Sequence, residues 1–69
     1  MENIAVQSRI ITAIRYDRIR RRLSLEFRNG ERRLFADVPR SLVMDMAKAA
    51  SPGEFYIENV RMRYPRLAA

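Results

Sequence analysis

Between Arg21 and Val38, apolar and polar residues alternate on both sides of an Asn-Gly pair. Such alternation predicts two half-buried strands, Arg21–Arg28 and Glu31–Val38. Asn29-Gly30 between them predicts a two-residue hairpin turn, in which both central residues take positive φ. That turn would set Arg28 opposite Glu31, Glu26 opposite Arg33 and Arg22 opposite Asp37. Leu25 would then face Leu34, and Leu23 would face Ala36. Three opposite-charge pairs fall on an outer face in this register, and the leucines share an inner one. Phe27 opposite Arg32 fits it less well, unless Arg32 lies at the sheet edge with its head in water.

Upstream, Ile10 to Tyr16 is rich in β-branched residues. Period two would put Ile10, Thr12, Ile14 and Tyr16 on one face of a first strand. Asp17 to Arg20 reads as a polar turn, and residues 1–7 carry no pattern and are expected to be flexible. Downstream, Leu42, Val43, Met46, Ala47, Ala49 and Ala50 recur at helical spacing, which predicts a helix from about Pro39 to Ala50. Ser51-Pro52-Gly53-Glu54 then combines an N-cap, a proline in the first turn and a glutamate three residues on. It predicts a short helix over residues 52–62, although Phe55-Tyr56-Ile57 would also suit a fourth strand. Pro65 closes that element. The expected fold is α+β: a three-stranded antiparallel β-meander, then a helix and a short C-terminal helical segment.

Sixty-nine residues accommodate one domain, here residues 8–67. The chain has no cysteine and no histidine. That removes disulfides, the usual zinc ligands and every Ser-His or Cys-His nucleophile from within the chain. No carboxylate spacing suggests a metal loop or a catalytic pair, so no cofactor, no metal and no enzymatic activity are expected. No apolar run reaches the ~18–20 residues of a membrane span, and the first residues do not read as a signal peptide. The expected compartment is the cytoplasm.

Charge adds the most to the picture. The formal net charge is +6, and thirteen of the fourteen basic residues are arginine. Arginine's planar fork matches phosphate and stacks on bases, which suits nucleic acid. A GC-rich source would favour arginine codons just as well, so two readings stand. The candidate nucleic-acid contacts are Arg15, Arg18, Arg20, Arg21, Arg22 and Arg33, with Arg61 and Arg63 near the C-terminal end. Arg18 to Arg22 would grip phosphates without sequence choice, or they form a solvated loop. Phe35 would lie exposed beside Arg33 as a stacking platform, or the C-terminal segment covers it as core. Met44, Met46 and Met62 suit core filling better than a partner surface.

A family resemblance rests on an ordered set of residues: Ser8 to Tyr16-Asp17, Leu23-x-Leu25-x-Phe27, Gly30, Val38-Pro39, Ser51-x-Gly53 with Phe55-Tyr56, Val60-Arg61 and Tyr64-Pro65. In this order the chain resembles the KTSC domain family over about residues 8 to 67. The resemblance implies a domain that occurs alone in bacteria or appended to some lysyl-tRNA synthetases, and for which RNA binding has been suggested. The chain departs from the family pattern twice. The central Tyr-x-Tyr motif falls at Arg33-Leu34-Phe35, and the asparagine after the Tyr-Phe pair is Ile57. RNA is therefore the expected partner, with a protein-interaction or structural role, including a homodimer, as the alternative.

Overall fold

The alternating segments form antiparallel strands as expected, but the sheet of the described residues has five strands rather than three. A computed structural model of the chain describes residues 1–67. Strands β1 (Glu2–Ile4), β2 (Ile11–Asp17), β3 (Arg22–Phe27) and β4 (Arg32–Phe35) are followed by helices α1 (Arg40–Lys48) and α2 (Pro52–Asn59), and by β5 (Arg66–Leu67). The sheet runs β1-β2-β3-β4-β5 and every neighbouring pair is antiparallel. The two additional strands come from the chain ends. β1, from the stretch expected to be loose, pairs with β2, and the two-residue β5 pairs with β4. Strands this short carry too few residues for any period to register.

The β3–β4 register differs by one residue from the expected one. Leu23 lies opposite Phe35, Ser24 opposite Leu34, Leu25 opposite Arg33 and Glu26 opposite Arg32. The cause is the turn. Gly30 N–H donates to the Phe27 carbonyl at 2.9 Å, and Phe27 N–H donates to the Glu31 carbonyl at 2.8 Å. Gly30 has φ +89, whereas Asn29 is not among the residues with positive φ. The loop is therefore Arg28-Asn29-Gly30, three residues closed by a left-handed glycine, and not the two-residue primed turn. Asn29 stays in place because its side-chain oxygen accepts from Glu31 N–H at 3.0 Å. One extra loop residue moves every β4 side chain to the other face. Of the expected charge pairs none survives; Glu26 meets Arg32 instead, at 3.9 Å.

A second irregularity resets β2. Ile11 pairs with Phe27 and Ala13 with Glu26, so Thr12 is the extra residue of a bulge. Thr12 instead donates its hydroxyl to the Glu26 carbonyl at 3.1 Å. The bulge brings Ile11, Ile14 and Tyr16 to one buried face and leaves Ile10 half exposed, in place of the expected Ile10-Thr12-Ile14-Tyr16 stripe.

Residues directly opposite each other share a face. The inner face therefore carries Tyr16, Leu23 and Phe35 in one row, and Ile4, Ile14, Leu25 and Arg33 in the next. Val43 and Met46 of α1, Tyr56 of α2, and Val38 and Val60 complete the core over this face. The other face, with Arg15, Ser24, Glu26, Arg32 and Leu34, has none of this core packed on it. Helix α1 is shorter than expected at both ends, with Pro39 as N-cap. Helix α2 starts as its sequence predicts: Ser51 Oγ accepts from Glu54 N–H at 3.4 Å, and Pro52 occupies the first turn.

A candidate anion-binding cleft

The shifted register has one chemical consequence above all: it turns Arg33 toward the helices. Its row-mates Ile4, Ile14 and Leu25 are buried, and a guanidinium in such a row needs partners. Arg33 Nη1 donates to the Tyr56 hydroxyl at 3.0 Å, and Nη2 donates to Glu31 Oε2 at 2.9 Å. The guanidinium carbon sits 5.3 Å from the centre of the Phe27 ring, a cation–π distance. The hydrogen bond to Tyr56, then that to Glu31, pushes the Arg33 pKa above its already high ordinary value. Arg33 Nε, by contrast, is buried and has no hydrogen-bond partner. Leaving such a donor unsatisfied costs roughly 1–3 kcal/mol. The side chain is thus held on two sides, and about a quarter of it (24%) remains exposed.

Arg33 forms part of the wall of a cleft of about 520 Å³. The cleft floor is apolar: Phe27 and Tyr56, stacked edge to face at 5.3 Å, with Ile10 and Ile57 at either side. Arg9, Arg28 and Arg61 also line it, all three exposed. Four arginines thus meet a single carboxylate, Glu31, around one depression. Three elements converge to build it: the segment entering β2, the β3–β4 loop and α2. Gly53 permits the closeness of the first and last. A Cβ placed there would lie 3.0 Å from Ile10 Cδ1, tighter than side chains normally tolerate. The Arg28 N–H, donating to the Ile10 carbonyl at 2.8 Å, ties the loop to the same segment.

The remaining sequence-predicted residues do not gather at this cleft, except Arg61. Arg18, Arg20 and Arg21 lie exposed in the β2–β3 turn, at the other end of β3. That turn is held by Asp17 Oδ1, which accepts from the backbone N–H groups of Ile19 and Arg20 at 3.1 Å each. These bonds, that from Arg20 foremost, keep the Asp17 carboxyl below its ordinary range. Arg15 and Arg22 are exposed on the sheet face away from the core. Arg63 is exposed in the turn after α2 and is not part of the cleft. Phe35 is buried at 1% exposure and packs edge to face on Tyr56 at 5.8 Å. It is core, and the expected stacking platform on the outer face does not exist, because the extra loop residue points Phe35 inward.

Sequence reading missed Arg9, Arg28, Phe27 and Tyr56 as site residues. The one signal that could have pointed to the cleft is the hairpin loop length, which turns Arg33 toward α2. Arg33 was among the expected contacts but on the wrong face, and Ile57 was noted as a departure from the family pattern; both line the cleft. Among the described residues, no three His, Cys, Asp or Glu side chains come together as a cation site would need. No helix of the described residues is long and apolar enough to cross a membrane.

Comparison with known proteins gives a consistent answer. The family model described as KTSC domain matches residues 7–64. Among solved structures, the chain is similar to a KTSC domain protein from Yersinia pestis, at 24% identity and a TM-score of 0.87, covering 99% of this chain and 96% of that one. That likeness speaks for the fold. No match is found among curated proteins.

Proposed function

The chain belongs to the KTSC domain family, and we propose that it works as a small non-catalytic binding module whose partner is single-stranded RNA. The carrying observation is the convergence of Arg9, Arg28, Arg33 and Arg61 on an apolar, aromatic-floored cleft. Phosphates favour the arginine forks, and unstacked bases favour the apolar floor; single-stranded RNA offers both in alternation. The exposed arginines of the β2–β3 turn extend the basic surface beyond the cleft. β3 has six residues, so the two ends stand about 20 Å apart.

The test is a fluorescence anisotropy titration with a short labelled single-stranded RNA at about 50 and about 200 mM salt. Binding should weaken steeply with salt, because each phosphate contact releases counterions and adds about 0.7 to the slope for single strands. Arg28→Ala with Arg61→Ala should flatten that slope. Absence of binding at the lower salt defeats the proposal. Self-association of the free chain to twice 8.2 kDa, without RNA binding, favours the interaction-module reading instead.

A further inference from the structure

Arg33 is occupied in the free chain, and its occupant is itself an anion. Glu31 Oε2 accepts from Arg33 Nη2 at 2.9 Å, so the carboxylate stands where a ligand phosphate would have to stand. The two sides of this contact are held unequally. Arg33 keeps the Tyr56 hydroxyl at 3.0 Å on Nη1 and the Phe27 ring 5.3 Å from its guanidinium carbon, and both of these residues are buried. Neither contact depends on Glu31. The Glu31 side chain, by contrast, is 53% exposed. Its backbone is pinned on both sides: the N–H donates to Asn29 Oδ1 at 3.0 Å, and the carbonyl accepts from Phe27 N–H at 2.8 Å. The carboxylate can thus leave by turning about its own side-chain bonds, while the loop and Arg33 stay in place.

We infer that Arg33 is the cleft's phosphate subsite and that Glu31 is its resident stand-in, a built-in competitor that an incoming phosphate displaces. The inference rests on the RNA reading above and adds a step to it: a backbone phosphate of the strand takes the place of the carboxylate. Two anions on one guanidinium nitrogen repel, so the carboxylate turns out to solvent as the phosphate enters. The exchange favours the phosphate because a phosphate is shared. Glu31 pairs with Arg33 alone, whereas Arg9, Arg28 and Arg61 line the same cleft and, among the described residues, form no ion pair. A phosphate on Arg33 collects contacts from these arginines that the carboxylate does not make.

Removing the competitor should strengthen binding, the opposite of what losing a binding or positioning residue does. An exposed ion pair of this kind is worth at most about fivefold in affinity. Glu31→Gln keeps the side-chain size and both backbone bonds. It should bind single-stranded RNA about threefold to fivefold more tightly by anisotropy at about 100 mM salt, and Glu31→Ala should behave alike. Glu58→Gln removes the same charge from an exposed site on α2 outside the cleft, and should stay within about twofold of the native chain. In an Arg33→Met background the gain from Glu31→Gln should vanish, since no guanidinium is left to compete for. Inorganic phosphate, followed on the Arg33 Nε–H resonance, should half-saturate Glu31→Gln at a several-fold lower concentration than the native chain. Equal or weaker RNA binding by Glu31→Gln and Glu31→Ala, or loss of the fold in both, overturns the inference and makes Glu31 a structural or positioning residue. A gain that persists without Arg33 also overturns it, because general charge would then explain it. Absence of RNA binding by the native chain removes the RNA reading only. The phosphate titration then decides the stand-in: earlier saturation of the variant upholds it, and identical saturation or an unmoved Arg33 resonance overturns it.

Discussion

Replacing Arg33 with methionine removes the guanidinium and keeps much of its apolar stem, and the structure contains the opposing terms needed to judge the outcome. The hydrogen bond to Tyr56 is lost, worth about 0.5–1.5 kcal/mol. The ion pair with Glu31 is lost too, but the Glu31 side chain is half exposed, so that pair contributes about 0–1 kcal/mol. The cation–π contact with Phe27 adds about 0.5–1 kcal/mol. Against these stands the buried Nε without a partner, whose removal returns about 1–3 kcal/mol. The terms nearly cancel. Arg33→Met should therefore melt within about 1 kcal/mol of the native chain, a shift of no more than about 4–8 °C for a domain of this size. RNA affinity should fall nonetheless. Thermal and urea unfolding followed by circular dichroism measure the first quantity, and anisotropy measures the second. A destabilisation above about 3 kcal/mol would refute the reasoning, because Arg33 would then be a structural residue whose bonds outweigh its orphaned donor. Unchanged RNA affinity would sink the functional half.

Other changes probe the fold and the turns. Phe35→Ala should cost about 3–5 kcal/mol, since the ring is fully buried against Tyr56; Arg20→Ala, in an exposed turn, should cost about 0.5 kcal/mol or less, and equal melting temperatures would reverse the assignment of faces. Gly30→Ala should destabilise by about 1 kcal/mol or more through backbone strain alone, because φ is +89 and a Cβ there meets nothing within 4 Å; a neutral result in urea unfolding would contradict the left-handed conformation at Gly30. Asp17 has its pKa depressed by backbone hydrogen bonds in the folded state. Its contribution is therefore full above the unfolded-state carboxylate range and is lost as pH falls below about 4. Acidification from neutral pH should narrow the stability gap between the native chain and Asp17→Asn, and a gap that widens on acidification would contradict the shift.

Much of the fold was legible because apolar periodicity is a burial signal. Leu23, Leu25 and Phe27 alternate into the core as their spacing demands, and the α1 stripe and the Ser51 cap appear where expected. Two single-residue events were not legible. The bulge at Thr12 and the third loop residue at Arg28 leave composition and alternation almost unchanged, yet each moves side chains across the sheet. The loop was misread for a physical reason. Asn-Gly suits a primed turn, but it serves equally well as the last two residues of a type I turn closed by a left-handed glycine. The site followed the register. With Arg33 placed on the outer face, the arginines of residues 18–22 looked like the centre of charge, and the cleft beside α2 had no visible wall. The basic composition is silent about where arginines converge, because convergence of Arg9, Arg28, Arg33 and Arg61 is a property of the packed chain.

The account stands on the cleft being where RNA binds. The most direct test is a heteronuclear NMR titration of the native chain with a short single-stranded oligoadenylate at low salt, following every backbone amide. The largest shifts should fall on Arg9, Ile10, the residues from Phe27 to Arg33, and Gly53 to Ile57, with smaller shifts in the Asp17–Arg21 turn. Shifts confined to that turn would place the contact at the opposite end of the sheet, and no shifts at all would contradict the claim outright.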